Sequence, residues 1–203
     1  MLKKILIAAA AIVVVFLVVV FLQPSTYHVE RSKLIDAPAE MVWAQISDFE
    51  NWKAWNPWQR MEPDQTIVLA GEPGGLGHSS SWKGEKTGEG KMTIVETARP
   101  THLGIELEFL APMHNTAESA FDLTPQDAGV NVTWSMNGNN GFIGKMFGLF
   151  MSMDDMIGTS YDQGLADLKA IVERQAKTEA EAAAAAADLE DLANEQAEGD
   201  EAP

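Results

Sequence analysis

No cysteine occurs in the 203 residues. Disulfides and thiolate metal sites are therefore excluded, while the compartment stays open, because oxidising compartments permit disulfides without requiring them. The length suits one domain with accessory segments, and a domain of about 145 residues can bury a core without staples. Bases are scarce too: 14 Lys and Arg stand against 30 Asp and Glu, a net charge of −16. Nine of the acids follow Lys177 with no base among them, leaving −7 for the rest. Without a basic stripe to neutralise phosphates, neither nucleic acid nor a polybasic grip on anionic lipid is expected.

Motifs for covalent or metal chemistry are also missing. The four histidines, His28, His78, His102 and His114, form no i,i+4 pair and have no carboxylate at ligand spacing. Surface or loop roles are expected for them, with His114 the one candidate for a pocket mouth. The glycine-rich run from Gly71 to Gly77 lacks a following Lys-Ser/Thr and opens no helix, so it reads as a hairpin loop rather than a phosphate cradle. Ser79, Ser80 and Ser81 lack the Gly-x-Ser-x-Gly frame of a strained nucleophile. No catalytic residue, metal site or cofactor is expected.

Long apolar runs, by contrast, are present. Ile5 to Leu22 is eighteen residues without a charge, preceded by Lys3 and Lys4. As a helix it spans about 27 Å, close to the hydrocarbon thickness of a bilayer. The run ends Val20-Phe21-Leu22-Gln23-Pro24, without the small-x-small pattern of a cleaved signal, so an uncleaved single-pass anchor over residues 1–24 is expected. Lys3, Lys4 and the terminal amine favour a cytoplasmic N-terminus, with the domain outside the cytoplasmic membrane, while Arg31 and Lys33 on the other side of the run count against it.

Behind the anchor, Tyr27 to Ile35 reads as a strand. A helix follows from Ala39 to Ile46, with Asp36 as its expected cap and Pro38 near its first turn. A second short helix, Phe49 to Trp55, is expected to stop at Asn56-Pro57. Six strands come next: Gln65–Leu69, Ser79–Lys83, Glu89–Thr97, His102–Leu110, Asn115–Leu123 and Val130–Met136. In the fourth of these, Leu103, Ile105, Leu107 and Phe109 share one parity, while Glu106 and Glu108 fall on the other and should face solvent. After a glycine-rich loop, a long helix from about Met151 carries an apolar stripe through Met153, Met156, Ile157, Tyr161, Leu165, Leu168, Ile171 and Val172. The Ala-rich acidic tail, 177–203, reads as a solvated helical extension that frays into disorder.

This element order resembles the START-like helix-grip (SRPBCC) superfamily, in its polyketide cyclase/dehydrase-like branch. The strings that carry the resemblance are Ile35-Asp36-Ala37-Pro38-Ala39-Glu40-Met41-Val42-Trp43, Asp48-Phe49-Glu50-Asn51-Trp52, Ser81-Trp82-Lys83-Gly84, Met146-Phe147-Gly148-Leu149-Phe150 and Gly164-Leu165-Ala166-Asp167-Leu168. The resemblance implies an α+β domain over residues 25–176, in which a curved seven-stranded antiparallel sheet grips the long C-terminal helix with a cavity between them. It implies no single activity.

The surplus of soft apolar residues suggests how such a cavity would be lined. The sheet would offer Trp82, Met92, Leu107, Phe109, Phe121, Trp134 and Met136, and the long helix Met153, Ile157 and Tyr161. Trp52 and Trp55 would cap it, and the small inward residues Ala117 and Ser119 would leave space above themselves. The leading expectation is a membrane-tethered binding module for an apolar small molecule or lipid. The alternatives are a cyclase- or dehydratase-like enzyme using a pocket carboxylate or Tyr161, and a module whose acidic tail docks a protein partner.

Overall fold

In a computed structural model describing residues 1–149 and 152–200, an apolar helix leads into a sheet-and-helix domain. Helix α1, Leu2–Phe21, has a mean hydropathy of 3.1 and is long and apolar enough to cross a membrane. Strand β1 (Thr26–Ile35) is followed by α2 (Ala39–Ser47), a 3₁₀ turn (Asn51–Ala54) and α3 (Pro57–Met61). Six strands follow: β2 (Thr66–Ala70), β3 (Ser79–Lys83), β4 (Glu89–Ala98), β5 (His102–Ala111), β6 (Asn115–Gln126) and β7 (Gly129–Asn139). A short helix α4 (Phe142–Phe147) then precedes the long α5 (Met153–Asp200).

The seven strands form one antiparallel sheet in the order β1-β7-β6-β5-β4-β3-β2. Alternation works as the sequence suggests. Leu103 and Ile105 of β5 are buried, as are Ala117, Ser119, Phe121 and Leu123 of β6 and Val130, Val132, Trp134 and Met136 of β7. A register shift between Ile94 and Glu96 bends β4 and leaves Val95 outside. On the inner face, α5 seats Tyr161, Leu165, Leu168 and Val172, spaced at helical steps, against this core. Arg31 of β1 holds the start of α5 through Asp154 at 2.9 Å and Asp162 at 3.1 Å. Beyond Ala176 the acidic segment continues α5 as helix, exposed from 177 to 190. Residues 201–203, at the end of the segment expected to fray, and Met151, the expected start of the long helix, lie outside the described residues.

Three local expectations need correction. Asp36 does not cap α2: the cap position is Pro38, one residue before Ala39, and the backbone N–H of Asp36 donates instead to Glu173 at 2.8 Å. The helical turn after α2 ends at Ala54, but helix resumes at Pro57. Asn56 caps α3, its Oδ1 accepting from the N–H groups of Trp58 at 3.0 Å and Gln59 at 3.2 Å, and proline suits a first helical position where its missing N–H costs nothing. The glycine-rich loop after β7 contains α4, whose six residues are too few to show a period.

Candidate functional site

A cavity of about 500 Å³ opens between the sheet and the first turns of α5, within the range usual for small-molecule sites. Its sheet wall comprises Ile67, Ser80, Trp82, Met92, Leu107 and Phe109, continued by Tyr27, Asn115 and Met136. Asn56, Trp58, Gln59 and Met61 of the α3 segment and Met153, Met156 and Ile157 of α5 face that wall. Gln65, Lys86 and Thr87 complete the rim. Among these described lining residues the titratable side chains are Tyr27 and Lys86; none is Asp, Glu or His. Burial raises the Tyr27 phenol above its usual value, so it stays protonated at neutral pH.

Of the residues expected in the pocket, the structure brings together Trp82, Met92, Leu107, Phe109, Met136, Met153 and Ile157. The other seven, Trp52, Trp55, Ala117, Ser119, Phe121, Trp134 and Tyr161, do not line it and are buried in the core. Trp134 stacks on Tyr161, ring centroids 3.8 Å apart and planes 9° apart, and on Phe121 at 4.9 Å. Trp52 and Trp55 close around them edge-on. Space was expected above Ser119, but Trp134 Nε1 donates to Ser119 Oγ at 3.0 Å and Tyr161 Oη lies 3.4 Å from it. Ala117 lies beside Leu107 and Gly138 in the sheet, and Tyr27 packs so closely over Gly138 that no Cβ would fit. The small residues thus make room for aromatic rings rather than for a cavity. Burial drives the Tyr161 phenol well above its usual value, and in this stack it is no proton-transfer group for the cavity.

Sequence reasoning missed Tyr27, Trp58 and Ser80. Tyr27 and Trp58 sit just inside element ends, where a period cannot be read, and Ser80 lies in a polar triplet with no apolar alternation. His114 is exposed in the β5–β6 turn and is not among the lining residues. The buried histidine is instead His78, stacked on Phe49 with ring centroids 4.8 Å apart. Its Nε2 accepts from the Phe49 N–H at 3.3 Å while Nδ1 donates to the Ala70 carbonyl at 3.1 Å, which ties the β2–β3 loop to the helical segment.

Glu62 fixes one side of the mouth. Its carboxylate accepts from the N–H groups of Glu85, Lys86 and Thr87 at 2.7, 3.0 and 3.0 Å and from Thr87 Oγ1 at 3.0 Å. These bonds, the Thr87 N–H foremost, hold its carboxyl below the usual range. They bind the β3–β4 turn to α3. A second hollow of about 450 Å³ lies beside α3, but its charges are already paired: Lys53 with Glu50, Arg60 with Asp167 and Glu62 with the turn.

The cavity lies at one end of the sheet. That end carries the start of β1, the β3–β4 and β5–β6 turns, and the exit from β7 into α4. The α1–β1 link arrives there too, fastened by the Asn140 N–H to the Ser25 carbonyl at 2.8 Å. Leu110, Met113, Phe142 and Met156 are exposed at the same end.

Residues 26–173, well over half the chain, match the family described as polyketide cyclase / dehydrase and lipid transport. The chain belongs to that family. Membership supports a hydrophobic-ligand-binding or cyclase-like function. Solved structures agree on the fold. A protein from Chromobacterium violaceum is 17% identical with a TM-score of 0.53, over 74% of this chain and 98% of that one. One from Thermobifida fusca is 18% identical with a TM-score of 0.56, over 72% and 93%. The di-domain ARO/CYC StfQ of the steffimycin biosynthetic pathway is 9% identical with a TM-score of 0.55, over 75% of this chain and 52% of StfQ. No curated protein matches the chain.

Proposed function

We propose that the protein is a membrane-tethered module that binds an apolar small molecule or lipid between its sheet and the start of α5. The observation that carries this reading is the cavity itself: about 500 Å³, walled largely by Trp, Phe, Met, Leu and Ile, and open at the end of the sheet where α1 joins. Apolar cargo partitions into a bilayer, so a mouth beside the anchor meets its ligand where the ligand is concentrated. The exposed apolar rim fits the same setting. Lys3 and Lys4 support a cytoplasmic N-terminus and hence an extracytoplasmic domain.

A cyclase-like activity has the family's description in its favour. It requires a group that moves protons at the substrate, and the expected carboxylate and Tyr161 do not line the cavity. Among the described lining residues, the titratable groups open to such a reaction are Tyr27 and Lys86. Native mass spectrometry of the protein released from membranes separates the cases. Retained lipid appears as added mass that recurs on reloading, whereas absence of any adduct, together with failure to take up lipid from vesicles, overturns the binding reading.

A further inference from the structure

Several polar groups of the cavity are committed to protein partners. Gln65 shares the Thr87 hydroxyl proton with Glu62, its Oε1 lying 3.0 Å from Thr87 Oγ1, and donates to the Trp58 carbonyl at 3.4 Å. Asn56 Oδ1 caps α3, and the Tyr27 hydroxyl donates to the Met136 sulfur at 3.6 Å. Ser80 differs. It is 0% exposed and lines the cavity from β3, paired in the sheet between Leu69 and Met92, and its Oγ has no hydrogen-bond partner among the described residues. A buried hydroxyl without a partner lowers stability relative to an alanine at the same place, so its presence calls for an explanation.

We infer that Ser80 is the recognition point of the cavity, and that the ligand is an apolar molecule carrying one uncharged oxygen function, a hydroxyl or carbonyl, on the part that enters deepest. This rests on the binding reading above. Three observations set the chemistry. The serine hydroxyl both donates and accepts, so it matches an alcohol or a ketone equally. The cation among the described lining residues is Lys86, in the β3–β4 turn at the mouth, whereas Ser80 lies three residues inside the end of β3, roughly 10 Å of strand. An anionic head would stay with Lys86 and leave Ser80 unmatched, since an unpaired buried charge is far costlier than a neutral group. Finally, Trp82, Met92, Leu107 and Phe109 keep the wall beyond Ser80 apolar, its other polar side chains, Tyr27 and Asn115, standing at the mouth-end starts of β1 and β6.

The test uses the full-length protein in amphipol, with Nile red in the cavity displaced by dodecane, 1-dodecanol, 2-dodecanone or dodecanoate. After correction for partition into amphipol alone, the wild type should take the alcohol or the ketone about tenfold more tightly than the alkane. Ser80→Ala should abolish that preference while alkane binding persists and the thermal midpoint stays level or rises. Equal affinities in the wild type, or a preference that survives Ser80→Ala, overturn the assignment. So does a marked loss of stability in Ser80→Ala, which would reveal a partner for the hydroxyl within the protein. A preference for dodecanoate that disappears in Lys86→Met overturns it as well, by moving recognition to the rim. If none of the four displaces Nile red while a lipid adduct persists in native mass spectrometry, the Ser80 assignment fails and the binding reading stands. Absence of both removes the two together.

Discussion

Glu62 and Ser119 are both polar, yet each serves packing, and each gives a measurable consequence. In Glu62→Gln one acceptor oxygen is lost and an amide N–H₂ faces the donors of the β3–β4 turn, so amide exchange at Glu85, Lys86 and Thr87 should accelerate. The pH dependence has a definite sign. Because the folded-state carboxyl is held below its unfolded value, its stabilisation is complete above the unfolded pKa and is lost as pH falls through the folded one. The difference in thermal midpoint between wild type and Glu62→Gln should therefore be full at neutral pH and close on the acid side. A gap independent of pH would count against the role given to Glu62. Ser119→Ala strands Trp134 Nε1 and should destabilise the domain by about 1–3 kcal/mol in urea titration. Ser80→Ala should not, although both serines sit on inner faces. That contrast marks the limit of legibility at this scale. Strand parity identifies which residues point inward, as at Leu107 and Trp134, but not whether the space above them is cavity or filled by a ring from elsewhere. Trp134 and Tyr161 fill theirs through a contact between β7 and α5, which no local pattern encodes.

Among the elements, strands were the most legible, because alternation against one buried face is strict. Short helices were the least. Trp52, Trp55 and Trp58 follow at three-residue steps, but the helix expected over Phe49 to Trp55 stops at Ala54 and a new one starts at Pro57. Trp52 and Trp55 consequently enter the core while Trp58 lines the cavity. The seating of α5 depends on a glycine that sequence alone flags only weakly. A Cβ on Gly164 would lie 2.9 Å from Trp134 Cζ3 and 3.1 Å from Pro57 Cδ. Gly164→Ala gains up to about 1 kcal/mol of helix propensity but must move a ring stacked on Tyr161, at a cost of roughly 1–3 kcal/mol. Overpacking should win, and the urea midpoint should fall. A stabilised variant would show that α5 can slide on the sheet, contrary to the packing described here.

At the scale of the whole molecule, helix α1 and the acidic extension flank a domain whose central hydrophobic cluster contains no described residue of either. Removing residues 178–203 should leave the thermal midpoint and Nile red binding unchanged, because α5 is exposed from 177 to 190. Loss of either would give the tail a structural role. The N-terminal segment is different, since it meets the domain at the cavity end through Ser25 and Asn140. If that junction serves to keep the mouth at the bilayer, orientation should control the rate of loading and not the strength of binding. Twenty Gly/Ser residues inserted after Gln23 would give the domain about 25 Å of slack. In proteoliposomes containing a pyrene-labelled lipid, such an insertion should slow initial uptake severalfold while the saturation level stays the same. Phe142→Asp, which puts a charge on an exposed rim position, should act in the same direction by making the approach of the rim to lipid unfavourable. The control is Glu106→Gln, on the outer face of β5, which should alter neither quantity. Uptake as fast with the insertion as without it would mean that ligand reaches the cavity by a route independent of the anchor, and the shared end of the sheet would then have no bearing on loading.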